Sequence, residues 1–305
     1  MFSLRLLSPC FVSSISKTVL SRTISHNQQQ KSSYIQPSVL EKHQIIDENL
    51  IKQFHDDGFL IVNDLLSSTE KKKVIDYADG ILALPETAGK WMQYYEIKDG
   101  KKLLCRTENF LDYFPELNEL LRGKITDAIS QLLGTPAILF KEKINFKLPG
   151  GAGFGAHQDA PAYTTFHQDH HLTVMIAIDK SDTQNGCLEV VRGEHKSGML
   201  PHPNGVMEKW LVEKWEKENK WEPVELEAGS LLFFGSMLPH RSGKNVSNRP
   251  RRAYYLTYNA LSDGDFRKAY YADKREKFPP AIERVPGKDY SEGARVYNLA
   301  NPIPT

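Results

Sequence analysis

A mostly β fold with flanking helices is predicted by three features of the sequence. Between Ala137 and Asn259, short apolar runs alternate with Gly, Asn and Pro turns, the pattern of a sandwich or barrel. Helical periodicity is concentrated before Gly134, so a helical layer precedes the strands. No tandem repeat or domain linker interrupts the chain after Asp47. The expected organisation is therefore one domain over residues 45–290, a distinct segment 1–40 before it, and a tail at 291–305.

The elements follow in order. Leu50, Ile51 and Phe54, with charges between them, predict a helix beginning near Asp47. Gly58-Phe59-Leu60-Ile61-Val62 reads as a short buried strand. Ser67-Ser68-Thr69-Glu70 opens a second helix over 71–84, which Pro85 stops. Leu117 to Leu133 reads as one amphipathic helix, ended by Gly134-Thr135-Pro136. Strands are expected at 137–140, 144–147, 172–178, 187–191, 224–226, 230–234 and 253–259. The stretch 206–222, carrying Trp210, Trp215 and Trp221, reads as a helical insertion between strands.

Composition excludes several classes. A formal net charge of +1 gives no bulk attraction to nucleic acid or membrane. No apolar run approaches the roughly 18 residues of a membrane span. Cys10, Cys105 and Cys187 form no CxxC pair and no disulfide framework, which suits a reducing compartment. Residues 1–40 contain Arg5, Lys17, Arg22 and Lys31, many serines, and no Asp or Glu. That is the composition of a mitochondrial transit peptide. The alternative is an unstructured tail on a cytoplasmic protein.

The chemistry is carried by Gly150-Gly151-Ala152-Gly153-Phe154-Gly155-Ala156-His157-Gln158-Asp159. A glycine-rich turn delivers a His-x-Asp pair whose side chains leave one face of a strand. With His240 as third ligand, two imidazoles and a carboxylate make the facial triad of non-haem Fe(II) oxygenases. A second His-Gln-Asp, His167/Asp169, competes for the role. It leaves only two residues before the strand at Leu172, whereas His157/Asp159 leaves 160–170 as a loop over the metal, so the first pair is preferred. Arg251 follows His240 by eleven residues and starts the next strand, sharing a face with Ala253, Tyr255 and Thr257. Its planar fork suits the distal carboxylate of 2-oxoglutarate.

His157-Gln158-Asp159, Asn185-Gly186-Cys187-Leu188, Arg192-Gly193-Glu194-His195-Lys196, His240-Arg241-Ser242-Gly243 and Arg249-Pro250-Arg251-Arg252 resemble the phytanoyl-CoA dioxygenase family. The resemblance runs from about residue 45 to 274. It implies a double-stranded β-helix (a cupin-like jelly roll), Fe(II), and 2-oxoglutarate and O2 as co-substrates. It implies His157, Asp159 and His240 as ligands, Arg251 and Ser242 as 2-oxoglutarate contacts, and a structural turn at Asn185-Gly186-Cys187. Lys141-Glu142-Lys143-Ile144-Asn145-Phe146-Lys147 and Tyr270-Tyr271-Ala272-Asp273 resemble a branch related to dioxygenases of aminoethylphosphonate-type compounds. The presence of Asp159, which related halogenases lack, implies hydroxylation.

Lys141, Lys143 and Lys147 share a strand face and can meet an anionic group, or face solvent. Candidate substrate contacts are Lys143, Tyr163, His167 and Asp169; Tyr94, Tyr95, Phe154 and Phe166 are further candidates to wall a pocket. The expected substrate is a small anionic or zwitterionic metabolite. The alternatives are an acyl-CoA hydroxylase, a non-catalytic cupin-like metal binder, and a zinc hydrolase using the same three ligands. Oligomeric state is not encoded in any motif.

Overall fold

The computed structural model describes residues 44–304, apart from 164–165, 167–169, 204–205 and 299. Segment 1–40 and the pair His167/Asp169 therefore lie outside the described residues.

Two helices open the chain. Helix α1 (Glu48–Asp57) is capped by the Asp47 carboxylate, which accepts from the Asn49 N–H. Helix α2 (Ser68–Leu82) has a full capping box between Ser67 and Glu70. Strand β1 (Phe59–Val62) runs between them. The expected single helix at 117–133 is two, α3 (Pro115–Arg122) and α4 (Lys124–Leu133), because Gly123 leaves helical geometry at φ −85°, ψ −115°.

Strands β2 (Met92–Lys98) and β3 (Lys101–Glu108) form a hairpin absent from the sequence reading. Its two-residue turn is Asp99-Gly100, both at positive φ, and Asp-Gly is a strong hairpin signal. The two expected strands at 137–147 are one continuous strand, β4 (Ala137–Lys147). Strand β5 (Phe154–His157) carries the first histidine. Strands β6 (His171–Ala177), β7 (Leu188–Val191), β8 (Trp221–Val224), β9 (Leu231–Gly235), β10 (His240–Ser242) and β11 (Arg251–Ala260) follow. The insertion is α5 (Lys209–Lys217), with Trp221 already in β8.

All strand pairs are antiparallel, in a seven-stranded sheet ordered β1-β9-β6-β11-β4-β3-β2 and a four-stranded sheet ordered β5-β10-β7-β8. Met175, Ala177, Leu232, Phe234 and Ala253 of the large sheet pack with Leu188, Val190 and Val224 of the small one. The alternate residues Val174, Ile176, Leu231, Phe233 and Leu256 face outward against α1–α4. Period-two alternation thus builds one apolar layer between the sheets and another under the helices. The architecture is the jelly-roll, double-stranded β-helix with flanking helices.

Helix α6 (Arg267–Lys277) and helix α7 (Ser291–Tyr297) cover the open end of β2–β4. The segment expected as a tail is part of this unit. Ala294, Tyr297 and Ile303 are buried, and the Ala300 carbonyl accepts from Gly155 N–H of β5 at 3.0 Å. An exposed edge strand is covered in this way.

Candidate metal and co-substrate site

Strands β5 and β10 are neighbours in the small sheet, and His157 and His240 are register partners. The ladder itself sets the two imidazoles side by side, with ring centroids 4.2 Å apart. Asp159 follows two residues after His157. One ligand atom from each of His157, Asp159 and His240 lies within 4.8 Å of the others, the only such cluster of three among the described residues. His157 Nδ1 donates to the Gly155 carbonyl at 2.8 Å, and His240 Nδ1 to the Leu238 carbonyl at 3.0 Å. A carbonyl only accepts, so both protons sit on Nδ1 and both Nε2 lone pairs remain available for a cation. Burial and the neighbouring His240 push His157 down to about 3, which keeps it neutral. Burial alone would raise Asp159, but His240, Lys143 and Lys141 outweigh it and hold the carboxylate ionised.

Two cavities meet at this cluster, sharing Lys143, Phe154 and His157. One runs to Asn145, Ser242, Tyr255 and Arg251. Arg251 is 1% exposed; its Nη1 donates to the Tyr255 hydroxyl at 3.3 Å, and its Nε is buried with no hydrogen-bond partner. A buried guanidinium left so incompletely paired fits a dicarboxylate such as 2-oxoglutarate. Lys147, the register partner of Arg251, bonds Ser242 Oγ at 2.8 Å and the carbonyls of Gly186 and Gly243 at 3.2 and 2.5 Å. It thereby fixes the Asn185-Gly186-Cys187 turn to the strand carrying Ser242. At Gly186, φ is +73°, and a Cβ would lie 2.3 Å from the Gly243 oxygen, so only glycine allows this approach.

The other cavity holds Asp159 and opens on Lys141, Arg106, Glu108, Lys274 and Tyr270. Lys141 and Lys143 both stand on the inner face of β4, as their spacing predicts. Neither ammonium has a hydrogen-bond or carboxylate partner among the described residues. Lys141 lies over the Tyr163 ring at 4.5 Å and Lys143 over the Tyr255 ring at 5.1 Å. Burial and then Lys143 push Lys141 down to about 7; burial also lowers Lys143. On the outer face, Glu142 is buried and held by Arg267 at 2.6 and 2.8 Å. Alternation therefore separates an unpaired inner pair of cations from a paired outer anion.

Of the aromatic candidates, Phe154 walls both cavities and Tyr163 backs Lys141. Tyr94 stacks on Phe278, Tyr95 packs beside Lys102, and Phe166 packs on Phe140. The sequence reading missed Arg106, Glu108, Lys274, Tyr297 and Asn301. Only the Asp99-Gly100 hairpin signal pointed toward the first two.

The model of the phytanoyl-CoA dioxygenase family matches residues 54–253. The chain belongs to that family. It is 45% identical to a 2-aminoethylphosphonate dioxygenase of an uncultured bacterium, covering 82% of this chain and 96% of the relative. It is 39% identical to a methylphosphonate hydroxylase of Gimesia maris, covering 76% and 88%. Among solved structures, EctD from S. alaskensis with 2-oxoglutarate and 5-hydroxyectoine has a TM-score of 0.62 at 20% identity, covering 74% of this chain and 80% of that one. The family member described here is a dioxygenase dependent on Fe(II) and 2-oxoglutarate. Among its described residues, no helix is long and apolar enough to cross a membrane.

Proposed function

We propose that this enzyme hydroxylates a small organophosphonate, with His157, Asp159 and His240 holding Fe(II) and Arg251 and Ser242 holding 2-oxoglutarate. The observation that carries the substrate class is the pair of unpartnered ammonium groups, Lys141 and Lys143, in the cavity that also holds Asp159. Leaving two cations unpaired at a buried wall is costly unless an anion arrives there. The phosphonate relatives support the same class.

When bound, the iron supplies the oxidative chemistry that couples 2-oxoglutarate decarboxylation to substrate hydroxylation by O2. The protein's own residues orient and exclude. Lys143 stands where the two cavities join, so it can contact either bound anion. Phe154 lies at the same junction and keeps water from the metal side. Tyr163 holds its ring behind Lys141 and leaves that ammonium to face the cavity. His167 and Asp169 lie outside the described residues and stay as candidate substrate contacts.

An acyl-CoA hydroxylase is the second reading. The substrate cavity is lined by Arg106, Lys141, Lys143 and Lys274, a charged wall that disfavours a long acyl chain. The test is anaerobic loading with Fe(II) and 2-oxoglutarate, then O2, with succinate measured for 2-aminoethylphosphonate, methylphosphonate and a fatty acyl-CoA. Succinate above background with a phosphonate supports the proposal; stimulation by acyl-CoA alone overturns it. Segment 1–40 is proposed as a mitochondrial targeting sequence on its composition alone. A reporter fused to these residues that stays cytosolic would reject that.

A further inference from the structure

We infer that Arg106 is the third arm of the substrate's anion site, and that this site selects a tetrahedral dianion over a carboxylate. The inference rests on the reading that the cavity takes a small organic anion, and it deepens that reading.

Arg106 lies on β3, beside β4, with Asn145 as its register partner. It is 2% exposed. Its Nη1 donates to Asn301 Oδ1 at 3.2 Å. Its Nε sits 2.7 Å from Glu108 Oε1, an ion pair whose alignment makes no hydrogen bond. Nη2 is buried and has no hydrogen-bond partner among the described residues. Arg106 lines the same cavity as Lys141 and Lys143. Three cationic groups from two adjacent strands thus surround one space, each with donor capacity unused.

Glu108 does not neutralise this wall. Both its oxygens bond Lys274 Nζ at 2.7 Å, so one carboxylate is shared by two cations. Lys274 itself is enclosed by the rings of Tyr94, Tyr270 and Tyr297, 5.2, 5.9 and 5.6 Å from its ammonium. The lysine and Glu108 make a rigid strut that aims the guanidinium, and Asn301 braces it from the other side. Arg106, Lys141, Lys143 and Lys274 outnumber Glu108 and Asp159 around this cavity, and with Asp159 turned to the metal a positive excess remains away from it. A carboxylate has one charge and two oxygens; a phosphonate has up to two charges and three oxygens. A guanidinium fork with two ammonium groups matches the second. Lys274 and Asn301 are positioning residues in this scheme, acting through Arg106.

The test is calorimetric binding without turnover, on full-length protein loaded with Zn(II) and 2-oxoglutarate. The titrants are 2-aminoethylphosphonate and its carboxylate counterpart, 3-aminopropionate. The native protein is expected to prefer the phosphonate by roughly 100-fold, since charge-assisted bonds are the strong ones. R106M should lower phosphonate affinity about 100-fold and carboxylate affinity far less; R106K should fall between. K274M should lower phosphonate affinity about tenfold. Affinity for 2-oxoglutarate, set at the other end, should stay unchanged and reports that each variant is folded; if R106M loses it, R106K decides. Tight phosphonate binding that R106M and R106K leave unaltered overturns the Arg106 assignment alone. Equal native affinity for both titrants overturns the dianion selection. Native protein that binds 2-oxoglutarate but no phosphonate overturns the substrate class, and this inference with it.

Discussion

Lys141 and Lys147 stand on the same face of one strand, at opposite ends of the inner space, and their surroundings are opposite. Burial pushes both down, Lys141 to about 7 with Lys143 as second cause, Lys147 to about 6 with Arg251 as second cause. Lys147 meets three protein oxygens within 3.2 Å and ties two loops to β4. Lys141 lies over the faces of Tyr163 and Tyr270 and makes no hydrogen bond among the described residues. Lys147 is thus committed to the protein's own bonds, whereas Lys141 and Lys143 hold charge in reserve. Identical residue type, strand and face do not imply identical work; the partners decide it.

The largest expected effect lies at the point both ends share. Asp159→Ala removes a direct ligand and should weaken Fe(II) binding beyond the roughly 10–100-fold typical of losing a ligand's hydrogen-bond partner. Metal titration and succinate release check this, and normal succinate output would contradict the triad. Next is Arg251→Met at the co-substrate end. Losing charge-assisted bonds to a dicarboxylate should cost about 3 kcal/mol, roughly 100-fold in 2-oxoglutarate affinity. An unchanged affinity would detach Arg251 from that role.

The effects on folding stability bear most directly on the two lysines. Lys147→Met strands three oxygen atoms and should destabilise by roughly 2–4 kcal/mol in urea unfolding. Lys141→Met removes an unpaired buried charge and should stabilise the substrate-free protein by about 1–4 kcal/mol. The pH dependence follows. Unfolded, Lys141 has the ordinary lysine value of 10.5; folded, burial and Lys143 push it down to about 7. Below pH 7 it is charged in both states and the folded state carries the full burial penalty. As pH rises from 7 toward 10.5 the folded form sheds its proton and the penalty is relieved. The stabilisation by Lys141→Met should therefore be largest near pH 6 and shrink by pH 9. A destabilised Lys141→Met would place that lysine in the same structural class as Lys147.

The juxtaposition at the candidate co-substrate end is legible because its residues are close in sequence. His240, Ser242 and Arg251 fall on two successive strands, and period-two alternation puts Arg251 and Tyr255 on one face. The metal pair was legible for the same reason. The substrate end was not: Arg106, Lys274 and Asn301 come from a hairpin, a helix and the C-terminal segment, and only tertiary packing joins them. Continuity of β4 was hidden because Lys141-Glu142-Lys143 breaks the apolar run. The break disappears once the lysines face the cavity and Glu142 meets Arg267 behind the sheet. The split of the third helix at Gly123 and the packing of 291–303 were equally tertiary. A tail was expected there because its pattern is short, and its apolar residues find partners only on the folded body.

The ladder between β5 and β10 is irregular at one place, between His240 and Ser242. The extra residue lies in β5, between Phe154 and His157, and divides that strand into two settings with different tolerances. On one side, His240 keeps step with His157, and a one-residue slip would turn an imidazole away from the ion. On the other, Phe154 is released from that step, while Ser242 stays in unbroken register with Leu188 of β7. A redesign of what the enzyme binds can therefore work through Phe154 at the bulge and through Val296, Tyr297 and Asn301, leaving the pitch of the two histidines untouched.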